Sequence, residues 1–147
     1  MKTINKFNKM KTLAASLLVV TTVCLGMFSS AFAGNTTDTS YQFHNTNTSG
    51  TTDGRAKTDT TKVYVHPTSG PALTYSVRGA NNADGDGAVV LSGSFTIYNG
   101  TYASITNNVY ERGKPFAQLH FERTVYADAW TYGVWSPDST QNYTVYG

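Results

Sequence analysis

Short runs of alternating apolar and polar residues fill the chain from Thr60 onward. Val, Ile, Leu, Phe or Tyr takes every second position of these runs, and Gly, Pro, Asn and Asp separate one run from the next. A period of two places successive side chains on opposite faces of a β-strand, whereas the period of a helix is longer. The pattern therefore predicts short antiparallel strands with one polar face that contacts water.

The alternation delimits seven predicted strands, the last of them an edge strand in the tail. They cover residues 60–66, 73–78, 89–97, 102–110, 116–126, 129–135 and 142–146. No run shows helical periodicity, so the expected fold is an all-β, antiparallel β-sandwich, or a small barrel, of six to seven short strands. Asn99-Gly100 is the sharpest hairpin signal, because both residues tolerate the positive φ of a type I′ turn. It predicts that Ile97-Tyr98 pairs with Thr101-Tyr102.

Residues 34–59 have a different composition. They consist largely of Thr, Asn, Ser, Gly and Asp, and Tyr41 and Phe43 are their only large apolar residues. Such a segment cannot nucleate a core by itself. We predict a polar, partly disordered arm with Tyr41-Gln42-Phe43 as a candidate edge strand, followed by one β-sandwich domain over residues 60–147.

The first thirty-three residues have the pattern of a secretory leader. Four lysines precede a mostly apolar run over residues 13–27, and Ala31-Phe32-Ala33 offers a cleavage site with small residues at both ends. The apolar run is shorter than the roughly twenty residues that a membrane-spanning helix needs. We expect cleavage after Ala33 and secretion of residues 34–147 without a stable membrane anchor.

Removal of the leader changes both the charge and the cysteine content. The whole chain has eleven Lys and Arg against nine Asp and Glu, but four of the cations lie in the leader, which leaves seven against nine. The secreted part is therefore acidic, and a basic patch for nucleic acid is not expected. Cys24, the only cysteine, also lies in the leader. The secreted domain cannot form a disulfide and must rely on its core.

His120 and Glu122 are a candidate pair for chemistry. They lie two residues apart on the polar face of one predicted strand, so they could hold a metal or perform acid–base chemistry. A third ligand would have to come from His44 or His66. An ordinary surface ion pair gives the same pattern, and we predict neither a metal site nor a catalytic residue.

Asp84-Gly85-Asp86-Gly87 resembles the start of a calcium-binding loop, because alternating aspartates can direct several oxygens to one point. The further acidic residues of such a loop are missing. Asp-Gly pairs are also common in turns. We therefore predict a turn here, and no cofactor for the chain as a whole.

Aromatic residues are the most informative surface feature. The secreted part has ten Tyr, four Phe and two Trp, and several tyrosines fall in loops or on predicted polar faces. Five of these are our candidate binding residues: Tyr64, Tyr98, Tyr102, Tyr110 and Tyr126. Tyrosine combines a large apolar ring with a polar tip, which suits sugars and protein partners, although cross-strand tyrosines also stabilise sheets without a ligand. Trp130 and Trp135 are expected in the core.

Residues 55–61 carry charged side chains at alternate positions. In an extended segment Arg55, Lys57 and Asp59 would project from one face, which could bind a partner. Charges on an edge strand also prevent aggregation between sheets, and this second interpretation is favoured. Arg55 and Lys57 are kept among the candidate binding residues.

Two segments carry a resemblance to known proteins: residues 55–65, RAKTDTTKVYV, and residues 133–139, GVWSPDS. They resemble segments of small secreted proteins of Gram-positive bacteria whose function is uncharacterised. A weaker similarity is to lactococcin-type bacteriocins, a class of secreted, cysteine-free, aromatic-rich β-sandwiches. The resemblance implies a secreted β-sandwich and supplies no activity.

The sequence thus favours a secreted, non-enzymatic protein that binds a cell-wall glycan or a protein partner outside the cell. Three alternatives remain open. The protein could be a bacteriocin-like effector, or a hydrolase that uses Glu122 with His120. It could also be a surface subunit that polymerises by strand exchange, with residues 34–59 as the donor.

Overall fold

The computed structural model describes residues 34–141 and 143–147. In this part of the chain there are eleven strands and no helix. The strands are β1 (Thr39–His44), β2 (Ser49–Thr51), β3 (Arg55–Ala56), β4 (Val63–Ser69), β5 (Leu73–Ala80), β6 (Val89–Val90), β7 (Phe95–Ile97), β8 (Ala103–Ile105), β9 (Phe116–Arg123), β10 (Trp130–Ser136) and β11 (Thr144–Tyr146). Accordingly, none of the described residues belongs to a helix long and apolar enough to cross a membrane.

The strands form two sheets. The first sheet has the order β1-β10-β4-β8-β11 and is antiparallel except for the β8–β11 pair. The second sheet has the order β2-β9-β5-β6, with β3 also paired to β9 and β7 to β5. All of its pairs are antiparallel. The all-β, antiparallel prediction is confirmed, and the two sheets decide between its alternatives in favour of a sandwich.

Aromatic contacts join the inner faces of the two sheets. The ring of Tyr41 on β1 lies 5.5 Å from that of Phe121 on β9 and 6.1 Å from that of Tyr75 on β5. The two buried phenols satisfy one another through an Oη–Oη hydrogen bond of 2.8 Å, as buried polar groups require. Fully buried aliphatic side chains complete the core, among them Val63, Val65, Leu73, Val77, Ile105 and Leu119.

The prediction of a polar, partly disordered arm over residues 34–59 is wrong, because the strands β1, β2 and β3 lie in it. Residues 39–44 form β1, which pairs with β10 over six positions. Tyr41 and Phe43 point inward and are almost fully buried, and the Phe43 ring lies 5.1 Å from the Phe121 ring. Two apolar side chains suffice because other strands, chiefly β4, β5, β8 and β9, supply most of the core. The candidate edge strand is confirmed, but it already occupies this chain's own sheet, so strand exchange has no free donor there.

The hairpin predicted at Asn99-Gly100 is also wrong. A turn is present, since the Thr101 N–H donates to the Tyr98 carbonyl at 3.1 Å. Gly100 has a φ of 81°, whereas no non-glycine residue of the described chain has a positive φ. A type I′ turn needs positive φ at both central residues, and a type II turn needs it only at the second. The turn is therefore of type II, and it connects β7 in the second sheet to β8 in the first sheet.

The strand predicted over residues 89–97 is split in two. Both pieces pair with β5, β6 at Arg78 and Gly79 and β7 at residues 73–75. Between them the Val77 N–H donates to the Ser92 hydroxyl at 2.7 Å. A side chain thus replaces the backbone acceptor, and the predicted strand is interrupted between β6 and β7.

Replacement of Phe43 by Ala tests whether β1 belongs to the core. Loss of a buried phenylalanine side chain should lower the free energy of unfolding by about 3–5 kcal/mol. The matched control is Gln42→Ala, one residue away on the exposed side of β1, which should change it by less than about 0.5 kcal/mol. Urea denaturation of the protein measures both values, and equal small effects would show that residues 39–44 do not contribute to the core.

Candidate functional site

The outer faces of the two sheets differ in chemistry. The second sheet exposes polar side chains of β5 and β9, such as Thr74, His120 and Glu122. On the first sheet, the inward orientation of Val63 and Val65 turns the intervening residues of β4 outward. Seven aromatic side chains occupy this outer face, and we call them the aromatic face: His44, Tyr64, His66, Tyr102, Trp130, Tyr132 and Tyr143.

One group of the aromatic face lies on β1 and β10. The Trp130 ring is 4.6 Å from the His44 ring and 6.3 Å from the Tyr132 ring. Trp130 and Tyr132 are each 44% exposed. His44 is held on both sides, because its Nε2 lies 3.0 Å from an Asp128 carboxylate oxygen and its Nδ1 lies 2.6 Å from the Thr46 hydroxyl. The group is thus fixed at its base and open to solvent.

The second group surrounds Tyr102. Its ring stacks on His66 with 3.9 Å between centroids and 10° between planes. Tyr143 lies 5.8 Å from Tyr102 and 4.8 Å from Tyr64. The His66 Nδ1–H donates to the Thr101 carbonyl at 3.0 Å, which fixes the ring orientation. Tyr102 remains 52% exposed.

Strand register connects the two groups into a diagonal stripe. Val134 on β10 is paired with His66 on β4, and Tyr102 adjoins His66 because the next residues, Ala103 and Val65, are partners. Trp130 lies four residues before Val134 on the same strand. With the usual rise per residue and spacing between strands, the stripe from Trp130 to Tyr143 is about 20 Å long.

A polar pocket of about 240 Å³ lies at the Tyr143 end of the stripe. Its lining includes Asp38, Tyr64, Ser136, Thr140, Gln141 and Tyr143. Burial, together with the neighbouring Asp38, Tyr143 and Tyr102, raises the pKa of Tyr64 to about 12. Tyr64 therefore stays protonated at neutral pH. The pocket is lined by neutral hydroxyls, an amide and the two carboxylates of Asp38 and Asp138.

A buried polar cluster adjoins this pocket through Asp138, which belongs to both. The Lys57 ammonium contacts Asp138 Oδ1 at 2.5 Å, and both side chains are fully buried. Asp138 Oδ2 accepts hydrogen bonds from the backbone N–H of Asn35 at 2.6 Å and from the Thr58 hydroxyl at 2.8 Å. Burial raises the pKa of Asp138, but the hydrogen bonds from Lys57, Thr58 and Asn35 outweigh it, and the pKa lies below its ordinary value.

A family model described as "Protein of unknown function (DUF2712)" matches residues 29–139. The chain belongs to this family. The matched region contains β1–β10, and with them the buried cluster and all of the aromatic face except Tyr143. The match agrees with the resemblance of residues 55–65 and 133–139 to uncharacterised proteins. No curated protein and no solved structure matches the chain.

Among the predicted binding residues of this DUF2712 protein, Tyr102 lies at the centre of the second aromatic group. Tyr98, Tyr110 and Tyr126 are exposed, with 66%, 47% and 72% of their surface accessible, but they lie outside the aromatic face. The Tyr126 ring instead contacts the Arg123 guanidinium at 5.3 Å. Their binding role stays a prediction.

Three expectations about surface positions need correction. Tyr64 is only 5% exposed, because the Tyr143 ring covers it. Lys57 is not on an exposed edge, since its ammonium is enclosed with Asp138. The Arg55 guanidinium lies 5.6 Å from the Trp135 ring centre and donates to the Thr37 carbonyl at 2.6 Å, so it is occupied within the domain.

Trp130 was expected in the core, and this expectation is wrong. The inward positions of β10 belong to Thr131, Gly133 and Trp135, and only Trp135 is a buried tryptophan. A side chain at Gly133 would collide with the ring of Tyr41. Glycine therefore occupies this inward position, and the large side chains of Trp130 and Tyr132 project outward. The i, i+2 spacing of Trp130 and Tyr132 shows that they share a face of β10, but not which face points outward.

His120 and Glu122 share the polar face of the second sheet, as predicted. Their Nε2 and Oε1 atoms are 3.5 Å apart, and His120 Nδ1 lies 2.9 Å from the Thr51 hydroxyl. His44 and His66 belong to the other sheet, so neither supplies a third ligand. Across residues 34–141 and 143–147, no cluster of three or more His, Cys, Asp or Glu could hold a metal ion.

Asp84-Gly85-Asp86-Gly87 belongs to the turn between β5 and β6. Gly85 and Gly87 have positive φ angles of 92° and 61°. An Asp86 carboxylate oxygen accepts a hydrogen bond from the Asn82 amide at 2.8 Å, and the Asp86 N–H donates back to Asn82 at 3.0 Å. These bonds serve the turn itself, as the turn interpretation predicts.

Tryptophan fluorescence tests the orientation of β10. In Trp130→Phe, the remaining Trp135 should emit at short wavelength and resist quenching by acrylamide, because it is 1% exposed. The matched variant Trp135→Phe should leave a solvent-exposed emission that acrylamide quenches readily. Circular dichroism would verify that both variants are folded. Strong quenching of Trp135 in the folded Trp130→Phe protein would contradict the structure.

Proposed function

We propose that this protein is secreted, without a membrane anchor, and acts as a non-enzymatic binding protein that takes a cell-wall glycan onto its aromatic face. The observation that supports this function is the asymmetry between the two outer faces. One face consists mainly of Ser, Thr and charged side chains, whereas the other exposes Tyr102, Trp130 and Tyr132 to between 44% and 52%. Solvent-exposed aromatic rings in a single patch are typical of interaction sites.

The composition of the aromatic face favours a sugar over a protein. Polar side chains lie beside the rings, because Gln42 on β1 is paired with Tyr132 on β10 and Ser40 is paired with Val134. A sugar ring presents C–H groups on its faces and hydroxyls on its edges, so rings with polar groups beside them complement it. A protein interface would be expected to centre on a desolvated apolar pocket, whereas the aromatic face is an open stripe.

Charge narrows the class of glycan. The secreted part has more acidic than basic side chains, and carboxylates lie at both ends of the stripe. Asp128 lies next to His44 at one end, and Asp38 lines the pocket at the other. Like charges repel, so a neutral or amino-bearing glycan is favoured over a polyphosphate. The Gram-positive cell wall is the source that fits the sequence resemblance.

Replacement of single rings tests the binding function. Trp130→Ala and Tyr102→Ala should each weaken binding to purified, protein-free Gram-positive cell walls by about tenfold or more, as removal of a central aromatic contact does. Tyr126→Ala is the matched control, because Tyr126 is more exposed than either residue but lies off the aromatic face. Cosedimentation isotherms give the dissociation constants.

The controls decide between surfaces and partners. Unchanged binding by Trp130→Ala and Tyr102→Ala, combined with loss in Tyr126→Ala, would move the site away from the aromatic face. Failure of the wild-type protein to bind any protein-free wall preparation would exclude a glycan of the wall as ligand.

Secretion has its own test. Amino-terminal sequencing of the protein from the culture medium should begin at Gly34, because cleavage is expected after Ala33. Replacement of Ala33 by Leu should retain the uncleaved precursor with the cells, since a bulky residue blocks the small-residue cleavage site. Recovery of cell-bound wild-type protein that still carries residues 1–33 would contradict secretion.

A further inference from the structure

The buried Lys57–Asp138 pair is arranged as two reactants rather than as a simple ion pair. Nζ lies 2.5 Å from Asp138 Oδ1, and neither side chain is accessible to solvent. A second carboxylate oxygen, Asp59 Oδ1, lies 3.7 Å from the same Nζ. A buried ion pair by itself gains little stability, because desolvation of two charges offsets their attraction. Stability alone therefore does not account for the burial of Lys57 and Asp138 together.

We propose that Lys57 and Asp138 condense to form an intramolecular amide bond, an isopeptide crosslink, within the folded domain. The inference does not depend on the proposed binding function. The condensation has four requirements. The amine and the carboxyl group must be held together, and water must be excluded. Negative charge on the carbonyl oxygen must be stabilised, and protons must have a route to the leaving oxygen. The structure meets each requirement with named groups.

The positions of Lys57 and Asp138 and their burial meet the first two requirements. The fold holds Nζ in contact with the carboxylate, which replaces a bimolecular encounter by an oriented one. Both side chains have zero exposure, so liquid water neither competes for the carboxyl carbon nor hydrolyses the product readily.

Donors around Asp138 Oδ2 supply the third requirement. This oxygen accepts from the Asn35 N–H at 2.6 Å, the Thr58 N–H at 3.2 Å and the Thr58 hydroxyl at 2.8 Å. When Nζ attacks Cγ, negative charge develops on the oxygen that does not leave. Fixed backbone and hydroxyl donors aimed at that oxygen stabilise such an intermediate.

The condensation balances without any other reactant. The bond between Nζ and Cγ forms, and the bond between Cγ and Oδ1 breaks. Of the three protons on the Lys57 ammonium, one stays on the amide nitrogen and two leave with Oδ1 as water. Asp59, whose Oδ1 is 3.7 Å from Nζ, can accept one of these protons and return it to the departing oxygen, as a general base and then a general acid.

The crosslink would join two distant segments of the domain. Lys57 follows β3 and Asp138 follows β10, and the two residues are 81 positions apart in the sequence. Small secreted domains commonly use disulfides for such closure. The secreted part of this chain has no cysteine, and an amide bond would provide the same covalent constraint without a redox step.

Mass spectrometry of the secreted, full-length wild-type product tests the proposal. Its intact mass under denaturing conditions should be lower than its sequence mass by one water molecule. Trypsin should give a branched peptide in which residues 56–62 are joined to residues 124–147, because cleavage after Lys57 is blocked. Lys57→Arg and Asp138→Ala should both show the full sequence mass. Because Asp138→Ala keeps every Asp-Gly pair of the chain, its full mass would show that the wild-type protein does not lose water at such a pair.

Two further variants report on the chemistry. Asp138→Asn should give the same branched peptide, since an asparagine can lose ammonia where aspartate loses water. Asp59→Asn should lower the crosslinked fraction by about tenfold or more if Asp59 carries the proton. Complete crosslinking of Asp59→Asn would overturn that role. Full sequence mass of the wild-type protein, with separate peptides for the two segments, would overturn the crosslink itself, and this result does not depend on any variant folding.

Discussion

The contact between Lys57 and Asp138 organises the ends of this domain. Asp138 accepts hydrogen bonds from the amino-terminal segment through Asn35 and from the segment after β3 through Thr58. Lys57 in turn donates to the Thr61 carbonyl, four residues further along. Three segments that are distant in the sequence therefore converge on one carboxylate. Removal of either partner would leave a buried charge without compensation, which costs about 3–5 kcal/mol.

The same convergence positions the aromatic face. Asn35 is fixed by Asp138 four residues before β1 begins, and β1 then pairs with β10 from Thr39 opposite Trp135. Because Trp135 fills the core, β10 has only one orientation available, and Trp130 and Tyr132 must project outward. The exposed rings are thus a consequence of buried contacts at the other end of the same strand.

Periodicity predicted the parts of the fold that depend on local alternation. The strands β4, β5, β9 and β10 fall within or close to predicted runs. Local pattern failed where a distant element decides the outcome. Tyr41 and Phe43 are buried because β9 covers them, and the turn at Asn99-Gly100 changes sheets because β4 and β5 accept its two flanking strands. The composition of residues 34–59 does not indicate that β9 covers Tyr41 and Phe43.

The candidate site shows the same difference between features set by local sequence and features set by distant contacts. Tyr102 could be selected from a run with a polar face, but Trp130 could not, since its orientation depends on the contact between Gly133 and Tyr41. The burial of Lys57 is not predictable for a related reason, because an alternating charged segment does not indicate that an aspartate 81 positions away pairs with it.

A long-range contact of this kind also affects the stability of the domain. By loop-closure entropy, a covalent bond across such a span stabilises a chain by about 4–5 kcal/mol, a large share of the marginal stability of a small domain. A cysteine-free sandwich that keeps β1 at the edge of a sheet has most to gain from a constraint at that position, since the edge strand carries His44 and borders the exposed rings.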